Sequence, residues 1–208
     1  MVENARLVPD WLSVSRETLS KLEGLLDLVI KWNARINLVS AASLNMGWQR
    51  HVLDSAQLWG LMPIPSGIWL DVGSGAGFPG LVIAILAQGQ CSDLGVVLVE
   101  SDRRKVVFLN EALRQLDLSA KVHCARIEEL PPFGAEIVTA RALAVVEKLL
   151  PMLVRHMAKH GTALLPKGRQ HARELANCDK SWNMRNEIIP SRTDPDGVVL
   201  KISGLHHV

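Results

Sequence analysis

The spacing of apolar and polar residues divides the chain near residue 66. Before that point the apolar residues recur at helical intervals. Leu19, Leu22, Leu26, Val29 and Ile30 share one face of a predicted helix from Ser15 to about Ala34, with Arg16, Lys21 and Lys31 on its polar side and Arg35 near its end. Leu38-Val39-Ser40 and the small residues after it read as a connector, and a second helix is predicted from about Met46 to Leu61. Residues 1–14, with Pro9, are read as irregular, and Pro63 and Pro65 separate this helical extension from the remainder of the chain.

Beyond residue 66, short apolar runs alternate with amphipathic ones. The pattern predicts strands at 68–72, 95–100, 121–125, 136–141 and 161–166, with helices at 78–88, 102–116 and 144–159. A polar helical piece at 169–178 leads to two last strands near 184–190 and 197–203, joined through the turn Asp194-Pro195-Asp196-Gly197. Strands alternating with helices imply a doubly wound parallel sheet, and the closing hairpin makes the last strand antiparallel. The predicted fold is therefore α/β and Rossmann-like. Its seven-stranded sheet occupies residues 67–208, and residues 1–66 form a helical N-terminal extension packed on it.

Composition narrows the class without naming a function. The 208 residues, 48% hydrophobic and 21% charged, suit one well-cored globular unit. A net charge of +2 is too small to establish a polyanionic partner by itself. No apolar run approaches the ~18–20 residues of a membrane span, and no signal-peptide pattern opens the chain. Cys91, Cys124 and Cys178 form no C-x-x-C pair and read as buried small hydrophobes in a reducing compartment. The expectation is a cytoplasmic monomer with no metal site.

The chemistry concentrates in Ile68-Trp69-Leu70-Asp71-Val72-Gly73-Ser74-Gly75-Ala76-Gly77-Phe78-Pro79-Gly80. An apolar strand ends on an acid, breaks into three glycines spaced by two, and restarts as an apolar helix. Glycines admit positive φ and close ligand approach, and the helix start offers unpaired N–H groups. The stretch also fits the dinucleotide pattern G-x-G-x-x-G, which alone is weak. Asp71 directly before the glycines would repel a pyrophosphate. The spacing Asp71-x-Gly73-x-Gly75-x-Gly77 resembles motif I of class I S-adenosylmethionine methyltransferases, whose cofactor carries an ammonium and a sulfonium. Glu100, ending the run Val96-Val97-Leu98-Val99, is placed to accept from both ribose hydroxyls. A dinucleotide site and a purely structural glycine turn are the alternatives.

Several further segments, in order, resemble the RsmG (GidB) family of bacterial enzymes, which methylate N7 of a guanine in the 530 loop of 16S rRNA. They are Trp32-Asn33-Ala34-Arg35-Ile36-Asn37-Leu38, Arg50-His51-Val52-Leu53-Asp54-Ser55, the glycine motif, and Glu100-Ser101-Asp102-Arg103-Arg104-Lys105. Ala125-Arg126-Ile127-Glu128-Glu129, Thr139-Ala140-Arg141-Ala142 and Pro166-Lys167-Gly168 complete the set. The resemblance implies S-adenosyl-L-methionine as cofactor, with Gly73 and Phe78 touching it, Ile127 and Glu128 holding the adenine, and Arg141 in its pocket. Asp71 is expected to meet the methionine ammonium directly or through water. The implied partner is 16S rRNA, the 30S subunit or an assembly intermediate of it.

Two absences bear on mechanism. Leu130-Pro131-Pro132-Phe133 imitates the Asn/Asp-Pro-Pro-Tyr/Phe motif of amine methyltransferases, but its first residue is apolar and it precedes the fourth strand. After that strand stands Thr139-Ala140-Arg141-Ala142, with no carboxylate or amide. Guanine N7 has an in-plane lone pair, so no general base and no catalytic side chain are expected. Positioning alone can supply the rate. RNA contacts are assigned to Arg35, Arg50 and His51, to Arg103, Arg104 and Lys105, and to Lys167, Arg169, His171 and Arg173. His51 and Asp54, at i and i+3, read also as a capping pair. The competing functions are a class I methyltransferase for a small molecule or protein, and a non-catalytic module binding S-adenosylmethionine or RNA.

Overall fold

In the computed structural model, which describes residues 6–62, 66–90, 93–178 and 181–208, seven strands form one sheet. They are β1 (Gly67–Val72), β2 (Leu94–Glu100), β3 (Lys121–Cys124), β4 (Ala135–Thr139), β5 (Met157–Lys167), β6 (Trp182–Pro190) and β7 (Val198–His207). Their order is β3-β2-β1-β4-β5-β7-β6, parallel from β3 to β5, with β7 antiparallel to both β5 and β6. The central strands are buried on both faces, which is why Val96 to Val99 reads as a continuous apolar run rather than an alternating one. Edge strand β6 instead exposes Asn183, Arg185, Asn186 and Glu187. Edge strand β3 leaves Cys124 exposed, so the expected burial of that cysteine is corrected, while Cys178 is half-buried. Pro63, Pro65 and Cys91 lie outside the described residues.

Helices cover both faces. α1 (Arg16–Asn33) is capped by Ser15, whose Oγ accepts from the Thr18 N–H at 3.1 Å. It buries Leu22, Leu25, Leu26, Leu28 and Val29 in one cluster with Leu81, Val82 and Ile85 of α4 (Gly80–Gln90) and Phe108 and Leu109 of α5 (Arg103–Gln115). Ile30, expected on that face, lies on the rim and is 45% exposed. α6 (Val146–His156) covers the opposite face with Leu149, Leu150 and Leu153 against Leu70, Val138 and Leu165. β5 begins at Met157, so the expected helix to 159 is cut short.

The predicted helix 46–61 breaks into pieces. Within it a π-helical stretch Trp48–Leu53 runs into α3 (Asp54–Ala56) and a 3₁₀ turn at Trp59–Leu61, while a further short helix, α2 (Ala41–Leu44), capped by Ser40, lies in the stretch expected to be a connector. The Asp54 N–H reaches back to the Gln49 carbonyl, a wider turn than an α-helix makes. His51 and Asp54 are thereby both presented to the loop after β4. The last helix, α7 (His171–Ala176), falls within the polar piece expected there.

Candidate active site

The glycine turn is built from three residues in the left-handed region: Gly73 (φ 69°), Gly75 (56°) and Gly77 (82°). Gly75 faces open space, since a Cβ added there would meet only the Gly73 carbonyl oxygen at 3.8 Å. Gly80, which starts α4, is the opposite case: a Cβ would strike Leu98 and the Asp71 carboxylate. That packing defines Asp71, which is 1% exposed. Its Oδ2 accepts from the Gly80 N–H at 3.1 Å and its Oδ1 from the Thr139 hydroxyl at 2.8 Å. Burial pushes this carboxyl above its ordinary range, against the pull of those hydrogen bonds and of the Arg141 charge. Asp71 therefore caps a helix and locks β1 to β4. It does not line the cavity, and each of its oxygens accepts a hydrogen bond from within the protein.

A cavity of about 1140 Å³ opens at the carboxyl ends of the parallel strands, where this topology places ligands. Gly73, Gly75, Phe78, Glu100, Ile127, Glu128 and Arg141 all line it; Gly77 does not. Glu100, 8% exposed, accepts from the Gly75 N–H at 2.9 Å through Oε2 and from the Asp102 N–H at 2.8 Å through Oε1. Each oxygen keeps a second lone pair for a hydroxyl donor. Ile127 is buried and Glu128 exposed on a 3₁₀ turn after β3.

Arg141 stands at the centre. Its Nη1 donates to the Arg50 carbonyl at 2.9 Å and to Asp54 Oδ2 at 3.3 Å, and its Nη2 lies 3.1 Å from His51 Nδ1. A guanidinium can only donate, so Nδ1 accepts and the imidazole proton sits on Nε2. Burial, with the nearby Arg141 and Arg50 charges, lowers the His51 pKa to about 4. The ring stacks on Phe78 with centroids 5.0 Å apart, and the Arg141 Cζ lies 5.5 Å from the centre of the Phe78 ring. Burial works against the Arg141 charge and Asp54 offsets it. The ion-pair partner of Arg141 is Asp54. His51 and Asp54 do not cap each other; both hold Arg141.

The structure re-sorts the basic residues. Arg50, His51, Lys105 and Lys167 line the cavity, while Arg35, Arg103, Arg104, Arg169 and Arg173 do not. Lys167 Nζ is committed to Glu174 at 2.8 Å and to the Ala144 carbonyl at 2.7 Å. Arg169 pairs with Asp196, Arg104 with Asp102 at 3.1 Å, and Arg50 stands 3.9 Å from Asp194. Arg35, Arg103, Lys105 and Arg173 make no ion pair among the described residues, and neither does Arg126, which its sequence context does not mark for RNA. Arg126 lines both the main cavity and a second hollow beside it, with Arg103. The turn after β6 also lines the cavity through Ser191, Asp194 and Gly197, although its sequence signals only a hairpin. The DPDG signal is local, whereas its position at the carboxyl end of β5 depends on the β5–β7 register, Lys167 opposite Val198.

The lining suits S-adenosylmethionine: an open glycine cradle, a strand-end carboxylate with free lone pairs, and an apolar wall with Phe78 and Ile127. This sheet order is that of the class I S-adenosylmethionine-dependent methyltransferase fold. Solved structures share the fold. An Aquifex aeolicus SAM-dependent methyltransferase is 14% identical with TM-score 0.57, covering 89% of this chain and 97% of that one. A methyltransferase from Geobacter sulfurreducens is 14% identical with TM-score 0.57 over 92% of each chain. Residues 18–194 match the family model described as GidB, rRNA small subunit methyltransferase G. Curated relatives called ribosomal RNA small subunit methyltransferase G are 49% identical over all of this chain and all of theirs (Cereibacter sphaeroides strain ATCC 17025) and 47% identical over 91% and 86% (Rhodospirillum centenum). The chain belongs to the rRNA small subunit methyltransferase G family. Among the described residues no helix is long and apolar enough to cross a membrane.

Proposed function

We propose that this protein methylates small-subunit ribosomal RNA at N7 of a guanine. The observation that carries the position is the state of the groups after β4. His51 and Asp54 are the proton acceptors beside that strand end, and Arg141 occupies both. A reaction that must remove a proton, such as methylation of an exocyclic amine, finds its nearest bases engaged. Guanine N7 has a lone pair in the ring plane and takes a methyl group without giving up a proton, so the demand on the protein is alignment and exclusion of water.

S-adenosylmethionine, when bound, supplies an electrophilic methyl group on a sulfonium. Glu100 is suited to the ribose hydroxyls, Ile127 and Glu128 to the adenine, and the Gly73–Gly75 backbone with Phe78 to the methionine end. Arg141 spends three N–H bonds on the protein and keeps two of its five donors for the cofactor carboxylate. The unpaired cations Arg103, Lys105 and Arg126 near the β2–β3 side of the cavity suit RNA phosphates. The test is transfer of labelled methyl from S-adenosylmethionine to purified small-subunit RNA or 30S particles, followed by nucleoside analysis. Label in 7-methylguanosine is expected. Label in an amine-methylated base or a 5-methylpyrimidine, or none in RNA, overturns the reading.

A further inference from the structure

Five carboxylates line the cavity: Asp54, Glu100, Glu128, Glu174 and Asp194. Asp54, Glu100 and Glu174 are held by donors of the protein, and Glu128 lies at the β3 side. Asp194 is different. Its Oδ1 accepts from the Asp196 N–H at 3.0 Å, which fixes the side chain, while its Oδ2 is 3.9 Å from Arg50 Nη1, beyond hydrogen-bond range. The side chain is 37% exposed. The turn carrying it is rigidly tied to the N-terminal extension. Gln57 Oε1 accepts from the Arg192 N–H at 2.9 Å, Asp54 Oδ1 from the Thr193 hydroxyl at 2.8 Å, and the Thr193 carbonyl from Gln49 Nε2 at 2.9 Å. A carboxylate oxygen that accepts no protein hydrogen bond and has only a long ion pair to Arg50, on a preorganised wall, calls for N–H donors from a ligand.

The sheet order says which part of the ligand arrives there. Glu100 at the end of β2 and Asp194 beside β7 are separated by β1, β4 and β5. From β4, which leads to Arg141, to β7 is two strand spacings, ~10 Å. That is about the span of a purine with a polar contact at each edge. A guanine whose N7 is turned toward the glycine-turn side presents its opposite edge, N1–H and the N2 amino group, toward the β6–β7 turn.

We propose that Asp194 selects guanine by accepting hydrogen bonds from N1–H and the N2 amino group of an unstacked base. Adenine and cytosine would set a ring-nitrogen lone pair against the carboxylate, so the contact both favours guanine and rejects its competitors. The inference rests on the N7 reading above.

The test uses small-subunit RNA, or 30S particles rebuilt from it, in which the methylated guanine is replaced by inosine, which lacks the N2 amino group, or by 7-deazaguanine. The wild-type protein is expected to prefer guanine to inosine in kcat/KM by roughly tenfold to a hundredfold, the range of one hydrogen bond to a charged group. In Asp194→Ala that ratio falls to near one, with the affinity for S-adenosylmethionine unchanged by calorimetry. Asp194→Asn keeps an oxygen for the Asp196 N–H and so keeps the turn, yet sets an amide against the guanine donors, and its ratio also falls. A ratio equal to wild type in both variants, with 7-deazaguanine still rejected, overturns the role of Asp194 and leaves the N7 reading standing. Methylation of the 7-deazaguanine RNA overturns the N7 reading and the selection argument with it.

Discussion

Gly75→Val separates the two jobs of the glycine turn. Gly75 sits at φ 56°, and a Cβ there meets only the Gly73 carbonyl at 3.8 Å, so no neighbour has to move. The cost to the fold is the left-handed backbone of a branched residue, about 1–3 kcal/mol. At about 2–4 °C per kcal/mol for a chain of this size, the melting temperature should fall by roughly 2–12 °C. The valine methyls project into the space where the cofactor approaches the backbone. The turn's N–H groups at Gly73, Ser74, Gly75 and Gly77 are already bonded within the protein, so the loss is of close approach. Excluding the cofactor from contact with the bare backbone, at about 1.5–3 kcal/mol for one side chain's worth of buried contact, weakens S-adenosylmethionine binding by roughly tenfold to a hundredfold. Gly80→Ala is the control: its Cβ would strike Leu98 and Asp71 inside the core, so it should fail in stability first. Titration calorimetry and differential scanning calorimetry on both variants read the two effects apart. A Gly75→Val protein that binds the cofactor with wild-type affinity would refute the assignment of this turn as the cradle.

Three further outcomes are expected. His51, held near pKa 4 against an ordinary 6.5, binds its proton in the unfolded chain first. Stability should therefore drop as pH falls from about 6.5 to about 4, by up to about 3 kcal/mol, and His51→Gln should flatten that part of a pH series of denaturant melts. Arg141→Lys keeps the charge but loses the fork that joins Asp54, His51 and the Arg50 carbonyl. Chemical denaturation should show a loss of about 1–3 kcal/mol, with weaker cofactor binding, whereas an unchanged melt and unchanged Kd would make the fork dispensable. In RNA-binding titrations against salt, Arg103→Ala and Arg126→Ala should each lower the log–log slope by about one unit. Lys167→Ala should instead lower stability, because it leaves the Glu174 charge in the cavity wall with the Val146 N–H but without its ion-pair partner.

How far the sequence can be read depends on where each signal lives. Strands and helices after residue 66 are legible because their apolar runs are buried by their own local pattern, and the glycine turn because its backbone needs are local too. The π-helical stretch around His51 is not legible as such, since its geometry is set by the tie of His51 and Asp54 to Arg141, some 90 positions along the chain. Charge alone cannot tell Lys167, already spent on Glu174, from Arg126, which has no ion-pair partner among the described residues. The inward bonds of Asp71 are hidden for the same reason: a strand-end acid before glycines looks alike in sequence whether or not it also bonds Gly80 and Thr139. The expected burial of Cys124 fails because the order of strands, and hence which strand is the edge, is not written in any one strand.

The central claim meets its most direct test in cells. Small-subunit ribosomal RNA from cells with and without this protein, digested and mapped by mass spectrometry, should differ by one 7-methylguanosine at a single position, restored by the wild-type gene and not by Gly75→Val. Identical nucleoside maps, or the loss of a methyl group from any atom other than a guanine N7, would contradict the account.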